Sequence, residues 1–192
     1  ETRDYGLAAG TLENYDLVIV TDFGHGYISP LVIEELSRRA RFLAVNAQTN
    51  SANHGFNLIT KYPRADYVVL DELEARLAAH DRDSPMEKII ERLGFERLIV
   101  TLGNHGCIGY DRGRFTRAQA VSRRVIDTMG AGDAFFCVTA PLAAAGADME
   151  TLCNVGNAAG AVKCSVVGHR EAVTRTRLLD YLNESSLVPS ER

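Results

Sequence analysis

The sequence predicts an α/β fold in which helices cover both faces of a mostly parallel sheet. Short apolar runs typical of buried strands alternate with helical patterns along most of the 192 residues. The run at 16–23 precedes a helix that Ser29 and Pro30 open, and a second run follows at 41–47. Such sheets bind ligands beyond the carboxyl ends of their strands, so polar residues there are candidate site residues.

The remaining segments continue this alternation of strands and helices. The patterns predict strands at 65–70 and 97–103, a hairpin at 106–118 that turns at Asp111, Arg112 and Gly113, and helices at 71–80, 84–94, 130–145, 149–168 and 174–184.

The helix at 84–94 has the clearest end signals of the chain. Ser84 and Glu87 have the spacing of a capping box, and Pro85 stands at the first helical position. Gly94 is expected to end the helix in the left-handed conformation.

Composition narrows the class of protein. Apolar residues make up 46% of the chain and the net charge is −4, which argues against a nucleic-acid partner. No apolar run approaches the roughly 18 residues of a membrane span, so no membrane partner is expected. The cysteines show no CxxC spacing and are expected to be reduced thiols buried in a cytoplasmic protein. They are Cys107, Cys137, Cys153 and Cys164.

A glycine turn with an acidic residue, DTMGAGD, carries the main chemical signal. Gly130, Ala131 and Gly132 stand at a loop-to-helix junction, where unpaired amides and the helix dipole favour an anion. Asp133 then lies in the first helical turn, beside that anion. This arrangement suits a base that takes a proton from a hydroxyl while the amides hold a transferring phosphoryl group. The simpler alternative is that Asp133 only stabilises the start of the helix, where the dipole favours an acidic side chain, and takes no part in chemistry.

DTMGAGDAFF closely resembles the signature of the PfkB, or ribokinase-like, carbohydrate kinases. The resemblance implies that Asp133 is the catalytic base and that Gly130, Ala131 and Gly132 form the anion hole. It also implies that Asp127 helps to bind a monovalent cation.

Two further stretches resemble the nucleotide site of that family. TLGNHG at 101–106 is similar to its Thr-x-Gly-x-x-Gly loop, which implies that Thr101, Gly103 and Gly106 contact the nucleotide. GNAAGAVKCSVVG resembles the helix beside adenine and places Asn157 at the nucleotide.

DELE at 71–74 resembles the family's Asn-Glu-x-Glu segment. The resemblance implies that Asp71 and Glu74 lie near the phosphates and that Glu74 lies near the metal. The implied cofactors are ATP and Mg²⁺, with K⁺ as an optional further ion.

The resemblance implies a ribokinase-like three-layer α/β/α sandwich with a mostly parallel sheet. The chain matches only its carboxyl-terminal portion, so the amino-terminal part and the β-lid are expected to be absent. Residues 1–185 are then the nucleotide-binding and catalytic portion, and 186–192 a frayed tail. The stretch VIVTDFGHGYIS is similar to the Ser-Asp-Tyr-Gly-Lys-Gly stretch of the heptose-7-phosphate kinase branch.

Several positions depart from the family pattern. His25 stands where the heptose branch has Lys, Asn46 lies where Asp-Pro-Lys is usual, and Asp71 replaces Asn. The stretch at 168–172 lacks a second glycine that often follows. These departures change charge near the phosphates and therefore bear on substrate choice and activity.

Other polar residues carry weaker signals. Lys61 and Arg64 flank a proline and are expected to be solvated. The five histidines are scattered and form no metal cluster, and only His25 is a candidate to face a ligand. The chain contains no GxxxxGK[ST] motif, and the glycines at 24 and 26 lack the third glycine of a dinucleotide fingerprint.

The sequence therefore predicts an ATP-dependent phosphotransferase that acts on a hydroxyl of a sugar or sugar phosphate. Alternatives are a nucleotide-binding scaffold without catalysis, and a bifunctional protein whose other domain is a nucleotidyltransferase. The full-length protein is a candidate homodimer. The isolated chain is expected to be inactive, because the half that positions the acceptor is missing.

Overall fold

The computed structural model describes residues 12–49, 53, 55–120, 125–166 and 170–186. The chain divides into two compact units, unit 1 (Glu1–Leu98) and unit 2 (Ile99–Arg192). The predicted tail lies, from residue 187 onward, outside the described residues.

Six strands form within the described residues, and their order in the sheet follows their order in the chain. β1 with β2 and β2 with β3 run parallel, whereas β5 and β6 form the antiparallel hairpin that the sequence predicted. The strands are Val18–Asp22 (β1), Leu43–Ala47 (β2), Tyr67–Asp71 (β3), Arg97–Thr101 (β4), Cys107–Asp111 (β5) and Arg114–Ala118 (β6).

The helices in the described ranges also follow the prediction, with ends that differ by a few residues. They are Pro30–Arg39 (α1), Glu72–Ala79 (α2), Met86–Leu93 (α3), Ala131–Ala144 (α4), Met149–Cys164 (α5) and Arg175–Ser186 (α6). Short 3₁₀ turns form at Leu12–Asn14, Ile59–Lys61 and Gly103–His105.

The register of the parallel strands brings polar residues to one edge of the sheet. Thr21 pairs with Asn46 and Asp22 with Ala47, while Asp71 ends β3. Because these strands are parallel, their carboxyl ends meet at the same edge. Unit 1 therefore presents Asp22, Asn46 and Asp71 at the edge where such sheets bind ligands.

The hairpin in unit 2 turns through two residues with positive φ. Arg112 has φ 44° and Gly113 has φ 93°, the combination that a two-residue hairpin turn requires. The position of the turn confirms the sequence prediction.

The capping box predicted at Ser84 and Glu87 is wrong. Pro85 is the N-cap of α3 and no side chain caps it, because Ser84 lies one position too early. The Ser84 N–H instead donates to Asp81 Oδ1 at 3.0 Å. Gly94 ends the helix with φ 75°, as expected.

Each unit has its own apolar core. In unit 1 the whole of β2 is buried, together with Ile89 and Ile90 of α3. In unit 2 Phe136 of α4 and Leu152 of α5 are fully buried. Burial of such side chains stabilises the fold by about 1.5–3 kcal/mol each.

The close packing of α4 on α5 depends on Gly156. A Cβ at this position would overlap the ring of Phe135. A glycine here lets the two helices approach, at the cost of some helix propensity.

All four cysteines are free thiols. Cys107 and Cys153 are buried as expected, but the expectation of burial is wrong for Cys137, which is exposed, and for Cys164, which is only half-buried. The buried residues of α4 lie on its other side, which leaves Cys137 facing outward. Among the described residues, no helix combines the length and apolar character that crossing a membrane requires.

Candidate functional site

The glycine turn of unit 2 opens α4 as the sequence predicted. Gly130 is the N-cap, with φ 75°, and its carbonyl oxygen accepts from the Ala134 N–H at 2.9 Å. The Ala131 N–H donates to Thr128 O at 3.2 Å, so this amide is already engaged by the turn. Asp133 lies in the first turn of the helix.

Space for a ligand exists at the start of α4. A Cβ at Gly132 would meet nothing within 4 Å. The first amides of a helix lack intrahelical partners, and the dipole favours negative charge there. The donor set and the open position therefore fit a phosphate group.

Asp127 shapes the entry to this turn. Its Oδ1 accepts from the Met129 N–H at 2.9 Å. The N–H groups of Ile126 and Asp127 donate to Cys164 O at 2.8 and 3.2 Å. The chain before the glycine turn is therefore fastened to the end of α5.

The predicted nucleotide loop follows β4, which ends at Thr101. The Leu102 N–H donates to Gly106 O at 2.7 Å and closes the loop around the Gly103–His105 turn. Gly106 has φ 86°, and a Cβ there would overlap the Ala118 carbonyl oxygen. Only glycine fits this position.

Asn157 of α5 reaches the same backbone segment as Gly106. Its Nδ2 donates to Ala118 O at 3.2 Å and to Gln119 O at 3.1 Å. The structure thus brings Gly106 and Asn157 together around the end of β6. The observed role of the Asn157 amide is to hold this segment in place.

One face of α5 lies beside both the nucleotide loop and the glycine turn of unit 2. Gly160 lies three residues after Asn157, and a Cβ there would be 3.7 Å from Ala131 O. Residues three apart share a helix face. α5 therefore holds the segment beside the nucleotide loop through Asn157, and at Gly160 it passes the glycine turn with room for a methyl group.

In unit 1, Asp71 and Glu74 form the capping box of α2. Asp71 Oδ1 accepts from the Glu74 N–H at 2.7 Å, and Glu74 Oε2 accepts from the Asp71 N–H at 2.9 Å. Glu74 Oε1 also accepts from the Thr49 N–H at 2.9 Å. Both oxygens of this buried carboxylate are thus oriented by the backbone.

A buried ionic cluster that the sequence patterns do not predict lies at the end of β1. Asp22 is 3% exposed, and its Oδ2 lies 2.6 Å from Lys61 Nζ and 2.7 Å from the Tyr62 hydroxyl. Its Oδ1 accepts from the Gly24 N–H at 3.0 Å. Lys61 is partly exposed, as expected, with 32% of its side chain accessible, but its Nζ is paired with Asp22, because a buried carboxylate needs a partner.

Asn57 completes the Asp22 cluster. Its Nδ2 donates to Asp22 O at 2.7 Å, and its Oδ1 accepts from Lys61 Nζ at 2.5 Å. These contacts join the loop after β1 to the segment that precedes β3.

The charge of Asp22 is stabilised by its neighbours. Burial by itself would raise the pKa of Asp22, but hydrogen bonds from Lys61, Tyr62 and Gly24 outweigh it and lower the pKa. Burial, followed by the Asp22 charge, raises the pKa of Tyr62. Asp22 is therefore ionised and Tyr62 neutral at physiological pH.

Arg64 also keeps 38% of its side chain exposed, but the sequence did not predict its fixed partners. Its Nη2 lies 2.5 Å from Asp66 Oδ2, and its Nη1 donates to Ser37 O at 3.0 Å and Ala40 O at 2.9 Å. The guanidinium group fastens the end of α1 to the start of β3.

Two of the residues that depart from the family pattern, His25 and Asn46, differ in burial. His25 is exposed, and its ring stacks on Phe23 with 6.1 Å between ring centroids. Asn46 is buried, and its Nδ2 donates to Val69 O at 2.9 Å. The departure at 168–172 falls partly outside the described residues.

Comparison with known proteins identifies the family. Residues 6–176 match the family description "pfkB family carbohydrate kinase". The chain therefore belongs to the pfkB family of carbohydrate kinases, which confirms the resemblance found in the sequence.

Among curated relatives, the bifunctional protein HldE of Koribacter versatilis is 29% identical over 183 residues. The match covers 92% of this chain and 37% of that protein. The chain thus spans well under half the length of this relative.

Solved structures confirm the ribokinase-like fold. Ribokinase from Thermotoga maritima has a TM-score of 0.71 at 21% identity, over 90% of this chain and 58% of that chain. The nucleoside kinase of Burkholderia thailandensis in complex with ADP-inosine has a TM-score of 0.72 at 26% identity, over 89% and 54% of the two chains.

Proposed function

We propose that this chain is the nucleotide-binding and catalytic part of an ATP-dependent kinase that phosphorylates a hydroxyl group of a sugar or sugar phosphate. Membership of the pfkB family supports a kinase. The observation that carries the proposal is the glycine turn, which opens α4 beside open space and holds Asp133 in the first helical turn.

The proposed roles at this turn divide between backbone and side chain. The amides of Gly130 and Gly132 stabilise the charge of the transferring phosphoryl group, and the Ala131 amide joins them when it leaves Thr128 O. The Asp133 carboxylate accepts the proton of the acceptor hydroxyl. An acid beside an anion site is unfavourable for passive binding but useful when a hydroxyl must be activated next to a phosphate.

The proposed nucleotide site consists of Thr101, Gly103, Gly106 and Asn157. The close approach of Gly106 to the end of β6 supports a role in shaping the loop, because any side chain there would displace it. Asn157 acts on the same segment through its two hydrogen bonds. We assign it a role in positioning this segment in addition to nucleotide contact.

The proposed Mg²⁺ site uses Glu74 and Asp71, whose carboxylate oxygens have the chemistry that this ion prefers. When bound, Mg²⁺ neutralises phosphate charge. No group of three or more ligating side chains occurs in the described parts of the chain. We therefore propose that Glu74, oriented by the Asp71 and Thr49 amides, receives the ion largely through its water shell. Asp127 is the proposed residue for K⁺.

A second candidate function is a nucleotide-binding module without catalysis within a longer, bifunctional protein. Two observations favour it: Glu74 is engaged in a helix cap, and His25 carries a ring stacked on Phe23 where a lysine would be expected. For the full-length protein we propose a cytoplasmic homodimer that acts on a small molecule.

Calorimetry with MgATP on this chain tests the nucleotide site. We expect measurable heat and a rise in melting temperature at millimolar nucleotide. Asn157→Ala should weaken binding, whereas Lys88→Met, which changes an exposed residue of α3, should not. A chain that is folded by circular dichroism but shows neither heat nor stabilisation would contradict the proposal.

A further inference from the structure

Two buried cysteine thiols meet beside the proposed nucleotide loop. Cys107 begins β5 directly after Gly106 and is 1% exposed, and Cys153 of α5 is completely buried. The Cys107 Sγ lies 3.9 Å from Cys153 O. Gly109 shares its face of β5 with Cys107, and a Cβ at Gly109 would lie 2.8 Å from Cys153 Sγ. Both sulfur atoms therefore lie in the narrow space between β5 and α5.

The two thiols also interact with each other. A hydrogen bond to Cys153, followed by burial, raises the pKa of Cys107. The Cys107 thiol is therefore protonated and slow to react while it is covered, because the thiolate is the reactive form. Its oxidation requires an opening of the adjacent nucleotide loop.

The Cys107 thiol is connected to the proposed nucleotide site. Cys107 pairs with Ala118 across the β5–β6 hairpin, and Asn157 Nδ2 donates to Ala118 O at 3.2 Å. Hydrogen bonds from Asn157 and the Ala118 backbone also act on the Cys107 thiol and partly oppose the rise in its pKa. Cys153 and Asn157 lie one turn apart on the same face of α5. A movement of either sulfur atom therefore reaches the amide that positions the end of β6.

We propose that Cys107 and Cys153 form a reversible disulfide bond on exposure to hydrogen peroxide and that this cross-link weakens nucleotide binding. The inference rests on the proposed kinase function and adds a means of regulation to its nucleotide site. Disulfide bonds in cytosolic proteins are commonly transient and redox-sensing.

The peroxide supplies the oxidising equivalents for this bond. One sulfur attacks a peroxide oxygen, the O–O bond breaks, water leaves and a sulfenic acid forms. The second sulfur then attacks the first and displaces another water as the S–S bond closes. Two thiols and one peroxide thus give one disulfide and two waters, and a dithiol reductant reverses the change.

The disulfide bond should displace the beginning of β5. Bonded sulfur atoms are about 2.05 Å apart, which is closer than two thiols in hydrogen-bond contact, so Cys107 must move towards α5. Its neighbour Gly106 is already so close to Ala118 that a Cβ would overlap the carbonyl oxygen. The movement therefore disturbs the loop that the Leu102 N–H closes on Gly106 O. By thermodynamic linkage, MgATP should disfavour the disulfide by the same factor.

Peroxide treatment followed by calorimetry with MgATP tests the inference. The double variant Cys137→Ser/Cys164→Ser retains just the buried pair of cysteines, so peptide mapping by mass spectrometry detects their cross-link without competing thiols. We expect the oxidised chain to bind MgATP about fivefold to tenfold more weakly than the reduced chain, within the usual range of coupling between sites. Dithiothreitol should restore the affinity.

Two further variants in the same background are the controls. Cys107→Ala and Cys153→Ala each lack one sulfur, and each is compared with itself before and after peroxide treatment. Neither should lose affinity for MgATP. A loss in either variant would assign the effect to oxidation elsewhere, for example at the exposed Met129, and would contradict the inference. Failure of the unliganded chain to form the cross-link, or unchanged affinity of the cross-linked chain, would also overturn it.

A redox titration separates this inference from the proposed function. In mixtures of reduced and oxidised dithiothreitol, saturating MgATP should lower the equilibrium constant of the disulfide by the factor found in calorimetry. A reduced chain that binds MgATP while its disulfide equilibrium stays unchanged contradicts this inference alone. A reduced and folded chain that does not bind MgATP contradicts the proposed nucleotide site and the inference with it.

Discussion

The Lys61 ammonium nitrogen lies 2.6 Å from the buried Oδ2 of Asp22, although the two residues lie far apart in sequence. This pair, with Tyr62 and Asn57, fixes the loop after β1 against the segment before β3. A charge removed from water in this way needs its partner, so the pair has measurable consequences for stability.

Lys61→Met should destabilise the chain by about 2–3 kcal/mol, because it leaves the Asp22 carboxylate buried without its cation. The loss stays below that of a fully buried pair because the Lys61 side chain is 32% exposed. Urea unfolding measures the change. Lys88→Met, on the exposed face of α3, should change stability by less than about 0.5 kcal/mol. Equal effects of the two variants would refute a special role for Lys61.

The lowered pKa of Asp22 predicts a defined acid dependence. The folded-state pKa of Asp22 lies below the ordinary value of 3.8. The ionised Asp22 therefore contributes fully to the free energy of unfolding above pH 3.8, and this contribution is lost as the pH falls through the folded-state pKa. The stability difference between wild type and Asp22→Asn should therefore shrink as the solution is acidified below that value. Asp16→Asn, whose side chain is 95% exposed, is the matched control. A difference that stays constant with pH would contradict this account.

Gly106→Ala should disrupt the nucleotide loop. The added Cβ would overlap the Ala118 carbonyl oxygen and would also suffer the strain of φ 86°. We expect a loss of about 2–4 kcal/mol in stability, accompanied by weaker MgATP binding. Gly113→Ala has a similar φ of 93° but meets no atom within 4 Å, so it isolates the strain alone, about 1 kcal/mol. If the two variants lose the same stability and bind MgATP equally well, the overlap of a Cβ at Gly106 with the Ala118 carbonyl oxygen does not contribute.

Asp133→Asn should abolish phosphoryl transfer in the full-length protein while leaving nucleotide affinity within a few fold. The amide preserves the shape of the first turn of α4 but cannot accept the proton. We expect a loss of about 10²–10⁴ in turnover. Steady-state kinetics and calorimetry on the same variant separate the two effects. Turnover near the wild-type rate would reduce Asp133 to a residue that only favours the helix start.

The order of strands and helices could be predicted from sequence because the local signals agree with the fold. Apolar runs marked β1 to β4, Ser29 and Pro30 opened α1, and Arg112-Gly113 turned the hairpin. The glycine turn was predicted for the same reason, since its residues are consecutive in the chain.

The Asp22 cluster could not be predicted from these signals, because it joins residues from separate segments. A charged residue at the end of an apolar strand was the available sign that a partner must exist. Nothing in the local pattern of 61–64 distinguishes a Lys61 that pairs with a buried carboxylate from one that has no partner. The capping box is at Asp71 and Glu74 and not at Ser84 and Glu87, although both pairs have the required spacing; the resemblance points to a phosphate and metal role for the first pair, and spacing alone does not show that it also caps a helix.

The shared support that α5 provides through Asn157 and Gly160 has a consequence for protein engineering. An exchange of the nucleotide loop for one of different base preference must keep the two hydrogen bonds from Asn157 to residues 118 and 119, and Gly160, on the same face of α5, lies next to the glycine turn. Libraries that vary the two loops should keep both α5 positions constant. In natural variants we expect changes at 157 and 160 to arise together with compensating changes in residues 118–120 and 130–132.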